Sequence, residues 1–110
     1  MEISTTDVNR VTVIVVSGRV DSATAPELEN TLKQLVESDK IRLVLDLAGV
    51  DYMSSAGLRA MVSTLKSVKR VSGDLRLASP SQRVAEVLRL AGLTSIFSVY
   101  ASQSDAVSSY

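Results

Sequence analysis

The chain has 110 residues, 45% of them hydrophobic and 22% charged, which is the size and composition of one folded domain. Its 12 basic and 12 acidic side chains cancel, so a broadly basic surface is excluded and we expect no direct nucleic-acid partner. The absence of cysteine and histidine excludes disulfides, thiolate chemistry, histidine-based catalytic triads and most zinc sites. We therefore expect a single domain over residues 1–110 that is not an enzyme and uses no metal or cofactor.

The first elements are two strands. A β-branched run at residues 11–16 predicts a buried strand, and residues 3–6 are predicted to pair with it through a turn. Gly18 is expected to end the strand, because glycine weakens strand interiors, and residues 19–23 are expected to form a loop.

A helix, a strand and a loop follow. Thr24 and Glu27 have the spacing of a capping box and Pro26 suits the first turn, so a helix is predicted to begin here. The apolar run at residues 41–47 predicts the next strand, and residues 48–53 are expected to form the loop into a second helix.

The second half repeats this alternation. Residues 75–78 read as a short strand, and Ser79 with Gln82 has capping-box spacing at the start of a third helix. Residues 96–99 are the last predicted strand, and Ser102 is expected to begin a short C-terminal helix.

This order predicts an α/β fold with a mixed, mostly parallel central sheet of four to five strands and about four helices. The loops that follow parallel strands lie at one edge of the sheet, where α/β proteins bind ligands and partners. We therefore expect Asp21, Asp46, Ser54 and Ser55 to converge there, joined by the loop at residues 79–81. The two aspartates alone are too few ligands for a dedicated cation site.

Ser54 and Ser55 stand where a loop becomes a helix, and two interpretations apply. One is structural, because a serine hydroxyl accepts hydrogen bonds from the free amides of a first helical turn. The other is regulatory: one serine caps while the other accepts a phosphate, whose charge the helix N-terminus tolerates. Asp21 and Asp51 would add to the repulsion of a docked partner. No base is available to make either serine a catalytic nucleophile.

Four stretches together resemble one protein family. Residues 18–21 read Gly-Arg-Val-Asp, residues 43–47 read Leu-Val-Leu-Asp-Leu, and residues 52–59 read Tyr-Met-Ser-Ser-Ala-Gly-Leu-Arg. With the later Leu-Ala-Gly-Leu and Ile-Phe of residues 90–97, they are similar to the STAS domain family and, within it, to the bacterial anti-sigma factor antagonists. The resemblance extends over almost the whole chain.

The resemblance implies partner switching. In that scheme the unmodified protein binds an anti-sigma factor that is a serine kinase, which frees a sigma factor; phosphorylation breaks the complex and a serine phosphatase restores it. The acceptor position falls on Ser55, with Ser54 as the fallback. Many members carry aspartate at the position of Ser54 and serine or threonine at that of Ala56. The implied partner-binding residues are Asp21, Ser54, Ser55, Ala56, Gly57, Leu58 and Arg59.

Two alternatives stay open at this point. The chain is either a non-switching STAS interaction module of a sensory or transporter-associated assembly, or a STAS domain that binds a nucleotide or lipid. Residues 1–7 lack the features of a signal peptide, and the apolar run at residues 11–16 is too short to cross a membrane. We therefore expect a cytoplasmic protein with no membrane association, monomeric when free.

Overall fold

The computed structural model describes residues 1–110 and contains five strands, four α-helices and one 3-10 turn. The strands are β1 (Glu2–Val8), β2 (Val11–Val20), β3 (Arg42–Met53), β4 (Asp74–Ala78) and β5 (Val99–Tyr100). The helices are α1 (Ala25–Glu37), α2 (Ser55–Lys69), α3 (Gln82–Leu90) and α4 (Gln103–Ser108), and the 3-10 turn spans Leu93–Ser95. No helix is both long and apolar enough to cross a membrane.

The strands form a single sheet in the order β1-β2-β3-β4-β5. β1 is antiparallel to β2, and the remaining neighbours are parallel, which confirms the predicted mixed and mostly parallel sheet. Asn9 and Arg10 connect the first two strands with φ of 51° and 68°, the left-handed backbone that a two-residue hairpin turn requires. Strand β1 therefore pairs with β2 as predicted.

Apolar residues that alternate along the strands give the sheet two differently covered faces. One face packs with helices α1, α2 and α3 around the main core, which includes Ile14, Leu45, Leu77 and Met61. A smaller cluster on the opposite face joins Val44 and its neighbours to Ala106 of α4. The short C-terminal helix begins at Ser102 as predicted, since the hydroxyl of Ser102 accepts from the amide of Asp105.

Two predictions were wrong: that β2 ends at Gly18, and that a loop follows the third strand at residues 48–53. Gly18 does not end β2: its φ of 88° bends the strand, and the register shifts there while pairing continues to Val20. Residues 48–53 are not a loop but the second half of β3, paired with the extension of β2. A Cβ on Gly49 would lie 2.8 Å from the Cβ of Ser17, so glycine permits this pairing.

Two further boundaries differ from the sequence-based expectation. The third helix is capped by Ser81, whose hydroxyl accepts from the amide of Val84, and not by Ser79. Ser79 is occupied elsewhere, because its amide and hydroxyl donate to the carbonyl oxygens of Tyr100 and Ala101. Residues 96–98 are not part of a strand; Phe97 follows the 3-10 turn and is buried in the main core.

The C-terminal residue Tyr110 fastens the segment after α4 to the sheet. Its hydroxyl lies 2.6 Å from the carbonyl oxygen of Leu43 and 2.7 Å from that of Asp74, and it accepts from the amide of Leu43. Burial, above all, together with the nearby carboxylate of Asp74, raises the pKa of Tyr110. The proton is therefore held more tightly in the folded state than in the unfolded chain.

Replacing Tyr110 with phenylalanine is expected to lower the free energy of unfolding by about 1–2 kcal/mol at neutral pH, because it removes these hydrogen bonds. Since the folded pKa is raised, the contribution of Tyr110 is complete below the ordinary tyrosine pKa of about 10 and is lost as pH rises above it. Denaturant unfolding at pH 7 and pH 11 should therefore show a smaller difference between the two proteins at the higher pH. Tyr100→Phe serves as the control, and a constant difference across that range would contradict the assignment.

Candidate functional site

The first turn of α2 is held in place by Ser54. Its amide donates to the carbonyl oxygen of Val20 at 2.8 Å, which fastens the helix start to the end of β2. Its hydroxyl accepts from the amide of Gly57 at 3.3 Å, the contact expected of an N-cap residue. The capping role predicted for one of the two serines is therefore performed by Ser54.

Ser55 is the first residue of α2 and is exposed to solvent. It takes no part in the cap, so its hydroxyl is available to another protein. The free amides of the first helical turn and the helix dipole favour negative charge at this position. The site therefore separates the two serines as the regulatory interpretation requires: one holds the helix and its neighbour is presented at the surface.

Gly57 is buried and contributes space to the site. A Cβ at this position would lie 2.7 Å from Cγ1 of Val20 and would also overlap Sδ of Met53. Its absence lets the first turn of α2 lie directly on the ends of β2 and β3. Gly57 therefore supports the surface from beneath, while Leu58 is half-buried and Arg59 is exposed on the same turn. Ala56 is half-buried and packs against the main core.

Asp21 forms the turn between β2 and α1. Its Oδ1 accepts from the amides of Ala23 and Thr24 at 3.0 and 3.1 Å. The amide of Thr24, above all, and that of Ala23 lower the pKa of the Asp21 carboxyl, which is therefore charged at neutral pH. Asp21 thus supplies a fixed negative charge at the end of β2, the strand to which Ser54 is bonded.

The expected capping box at α1 does not form. Thr24 is the N-cap residue, as predicted, but its side chain makes no hydrogen bond to the helix. Its hydroxyl instead donates to the carbonyl oxygen of Arg19 and accepts from the amide of Asp21. The threonine therefore closes the turn around Asp21. The helix nevertheless begins where it was predicted, directly after Thr24.

Arg19 and Tyr52 complete the surface at the ends of β2 and β3, and sequence reasoning did not identify them as a pair. The guanidinium of Arg19 lies 4.2 Å from the ring centre of Tyr52 and 3.7 Å from Oδ2 of Asp21. The two residues are opposite one another in the sheet because of the register shifts in β2. Tyr52 remains partly exposed beside the helix start, so this stacked pair is available for contact with another molecule.

The predicted convergence is correct for Asp21, Ser54 and Ser55 but wrong for Asp46. Because β3 continues to Met53, Asp46 lies in mid-strand, roughly 20 Å from the serines. It is almost buried, and its carboxylate accepts from Gln103 at 2.7 Å and from Ala48 at 3.0 Å. Asp46 therefore has a structural role, and it does not form a cation site with Asp21.

The loop at residues 79–81, which was expected to join the serines, instead contacts β3 several residues before them. The hydroxyl of Ser81 contacts the carbonyl oxygen of Val50 at 3.4 Å, within the extended part of β3 that the sequence suggested was a loop. The loop thus borders the strand that leads to the site, and it does not join the serines themselves.

Comparison with known proteins identifies the family and agrees with the fold. The STAS domain profile matches residues 2–106. BtrV of Bordetella bronchiseptica, which carries the provisional name of an anti-sigma factor antagonist, is 34% identical over 110 residues, covering 100% of this chain and 95% of BtrV. The anti-sigma-B factor antagonist of Listeria monocytogenes is 33% identical over 86 residues, covering 78% of this chain and 75% of the relative.

Two solved structures, of unphosphorylated and phosphorylated SpoIIAA, show the same architecture. Unphosphorylated SpoIIAA, an anti-sigma factor antagonist, superposes with a TM-score of 0.87 at 18% identity, covering 98% of this chain and 95% of SpoIIAA. Phosphorylated SpoIIAA from Bacillus gives a TM-score of 0.79 at 17% identity, with 98% of each chain covered. At such low identity the likeness concerns the fold, whereas the profile match and the full-length relative establish the family. The chain belongs to the STAS domain family.

Proposed function

We propose that this protein is a cytoplasmic anti-sigma factor antagonist that works by partner switching. Its unphosphorylated form binds an anti-sigma factor that is a serine kinase, so that a sigma factor is released. The kinase transfers the γ-phosphoryl group of ATP to the hydroxyl oxygen of Ser55, with loss of the hydroxyl proton and formation of ADP. A serine phosphatase hydrolyses the phosphoester and restores binding.

The observation that carries this proposal is the division of labour at the start of α2. Ser54 holds the helix through its cap, while Ser55 is exposed one position further along. A phosphate on Ser55 would add about −1.5 to −2 charge at a helix N-terminus, which tolerates an anion, so the fold can persist. The same charge would face any docked protein and would add to that of Asp21.

The relatives favour this proposal over a passive interaction module. The Listeria relative is named as an anti-sigma-B factor antagonist, and SpoIIAA, which shares the fold, exists in unphosphorylated and phosphorylated forms. The position of Ala56 next to Ser55 leaves no second hydroxyl on that side of the acceptor. Docking is proposed to use Asp21, Leu58 and Arg59 at the surface, with Ser54, Ala56 and Gly57 as their support.

Intact-mass analysis with the cognate kinase and ATP tests the acceptor assignment. We expect one added phosphate, about 80 Da, on the wild type and on Ser54→Ala, and none on Ser55→Ala. Ser54→Ala should also lose about 1 kcal/mol of stability through its cap, which distinguishes its role from that of Ser55. Modification of Ser55→Ala to the wild-type extent would refute the assignment, and no modification of the wild type would favour the non-switching module.

A further inference from the structure

An open groove runs along α2 from Ser55 toward the segment after α3. It has a volume of about 520 Å³, and eight residues line it, namely Ser55, Leu58, Arg59, Val62, Ser63, Lys66, Ala91 and Leu93. The six residues from α2 recur at intervals of three and four, so they form one continuous stripe on the helix surface. Ser55 stands at one end of this stripe, which makes the groove continuous with the proposed phosphorylation site.

The floor of the groove is apolar and incompletely covered. Leu58, Val62 and Leu93 pack against the main core with their inner sides but remain half-exposed. On either side of the segment that supplies Leu93, Leu90 is 71% exposed and Ile96 is 47% exposed. The apolar floor is therefore left partly open to solvent, and an apolar patch rimmed by polar residues marks an interaction site.

The charge along the groove is of one sign. Arg59 and Lys66 line it, and no carboxylate does. Neither cation takes part in a salt bridge within the protein, whereas Lys69 on the next part of the helix is paired with Asp74. The two free cations are two helical turns apart, about 10.5 Å along the axis. They therefore offer two regularly spaced contacts to negative charges on an occupant.

We propose that this groove binds an acidic amphipathic helix of the anti-sigma factor. Such a helix places apolar residues at intervals of three and four on the half-exposed floor, as grooves of this kind bind helical segments. Carboxylates two turns apart on its flank pair with Arg59 and Lys66. The proposal rests on the proposed function for the identity of the partner, whereas binding of an acidic helix by the unphosphorylated groove can be tested without any kinase.

The arrangement also gives phosphorylation a local mechanism. Ser55 and Arg59 are one turn apart on the same stripe, so a phosphate on Ser55 would lie within reach of the guanidinium. It would compete with the carboxylate of the docked helix for Arg59, and it would repel that carboxylate directly. Lys66 is too far along the helix, about 16 Å from Ser55, to be neutralised in the same way.

An NMR titration of the ¹⁵N-labelled, unphosphorylated protein tests the groove directly. The probe is a capped 16-residue helical peptide with leucines at intervals of three and four and two glutamates two turns apart. A matched peptide carries lysine at the two glutamate positions. We expect the acidic peptide to shift amide signals of Leu58, Val62 and Leu93, and to bind about tenfold more tightly than the basic peptide at 50 mM salt.

Charge variants locate the contacts. Arg59→Gln and Lys66→Gln should each weaken the acidic peptide about two- to fivefold, with unchanged amide spectra elsewhere. Lys33→Gln is the matched control, because Lys33 is an exposed lysine of α1 that lines the neighbouring cleft between α1 and α2 and does not line the groove. The Lys33→Gln variant should bind the acidic peptide with the affinity of the wild type.

Absence of binding, equal affinity for the two peptides, or shifts centred outside the groove would overturn the proposal. The titration contains neither kinase nor ATP, so its result is separate from that of the phosphorylation experiment. Binding of the acidic peptide by a protein that the kinase does not modify would support the groove and refute the switch. Phosphorylation of Ser55 together with indifference to peptide charge would support the switch and refute the groove.

Discussion

The Ser55→Asp variant is expected to bind the cognate anti-sigma factor kinase about 30- to 100-fold more weakly than the wild type in a calorimetric titration. The introduced carboxylate would stand at an exposed position of the docking surface, where a negative charge facing a partner costs several kcal/mol. The charge of Asp21 adds to it, because that carboxyl is ionised at neutral pH. The fold should be unchanged, since an acidic residue is favourable in the first turn of a helix.

Two controls separate charge from other effects. Ser55→Asn changes the side chain without adding charge and should retain most of the affinity. Ser104→Asp places the same charge near the start of α4, on the opposite face of the sheet, where Ser104 is also exposed. That variant should bind like the wild type. Unchanged affinity of Ser55→Asp, with intact kinase and a native circular dichroism spectrum, would contradict the proposed role of Ser55.

Gly57→Ala is expected to lower the free energy of unfolding by about 1–3 kcal/mol, which corresponds to a fall in Tm of roughly 4–13 °C. An alanine in a helix interior normally adds up to about 1 kcal/mol of stability relative to glycine. Here the new Cβ would lie 2.7 Å from Cγ1 of buried Val20 and would overlap the side chain of buried Met53. The cost of overpacking is therefore expected to exceed the gain in helix propensity.

Thermal unfolding of Gly57→Ala measures this balance, with Ser63→Ala as the control at an exposed position of the same helix. The control should unfold within a degree or two of the wild type. Because the clash displaces the first turn of α2, Gly57→Ala should also weaken kinase binding without touching an exposed residue. A Tm equal to that of the wild type would show that the helix start does not lie as close to the strands as the structure indicates.

The order and type of most elements were predictable because each has a local cause. Apolar and β-branched runs placed the central strands, and the serines at 54 and 102 begin helices through side-chain caps that depend on their own neighbours. The motif around Ser55 also lies at the predicted helix start. Local chemistry was therefore sufficient to place both serines at the helix start and to predict that one of them, Ser54, caps it.

The errors arose where distant residues decide the local structure. Gly18 was expected to end a strand, but pairing between β2 and β3 continues past it through register shifts that no short stretch of sequence reveals. The extension of β3 moved Asp46 away from the serines and brought Arg19 opposite Tyr52. Ser79 has the spacing of a cap, but hydrogen bonds to residues 100 and 101 engage it instead.

The groove beside Ser55 could be predicted only in part, for the same reason. The stripe of residues from Ser55 to Lys66 follows from helical periodicity, but its second wall comes from Leu93 after the turn at Gly92. That glycine has a φ of 74°, which redirects the chain after α3. The residues of both walls can be identified in the sequence, but the distance between the walls depends on how α3 packs against the sheet.

The most direct test of the central claim is the affinity of protein that carries phosphoserine at position 55. The kinase, or genetic encoding of phosphoserine, would supply the modified form, and its binding to the kinase would be measured beside that of the unmodified form. We predict a loss of at least about 100-fold, reversed when a serine phosphatase removes the phosphate. Equal affinity of the two forms would contradict the account.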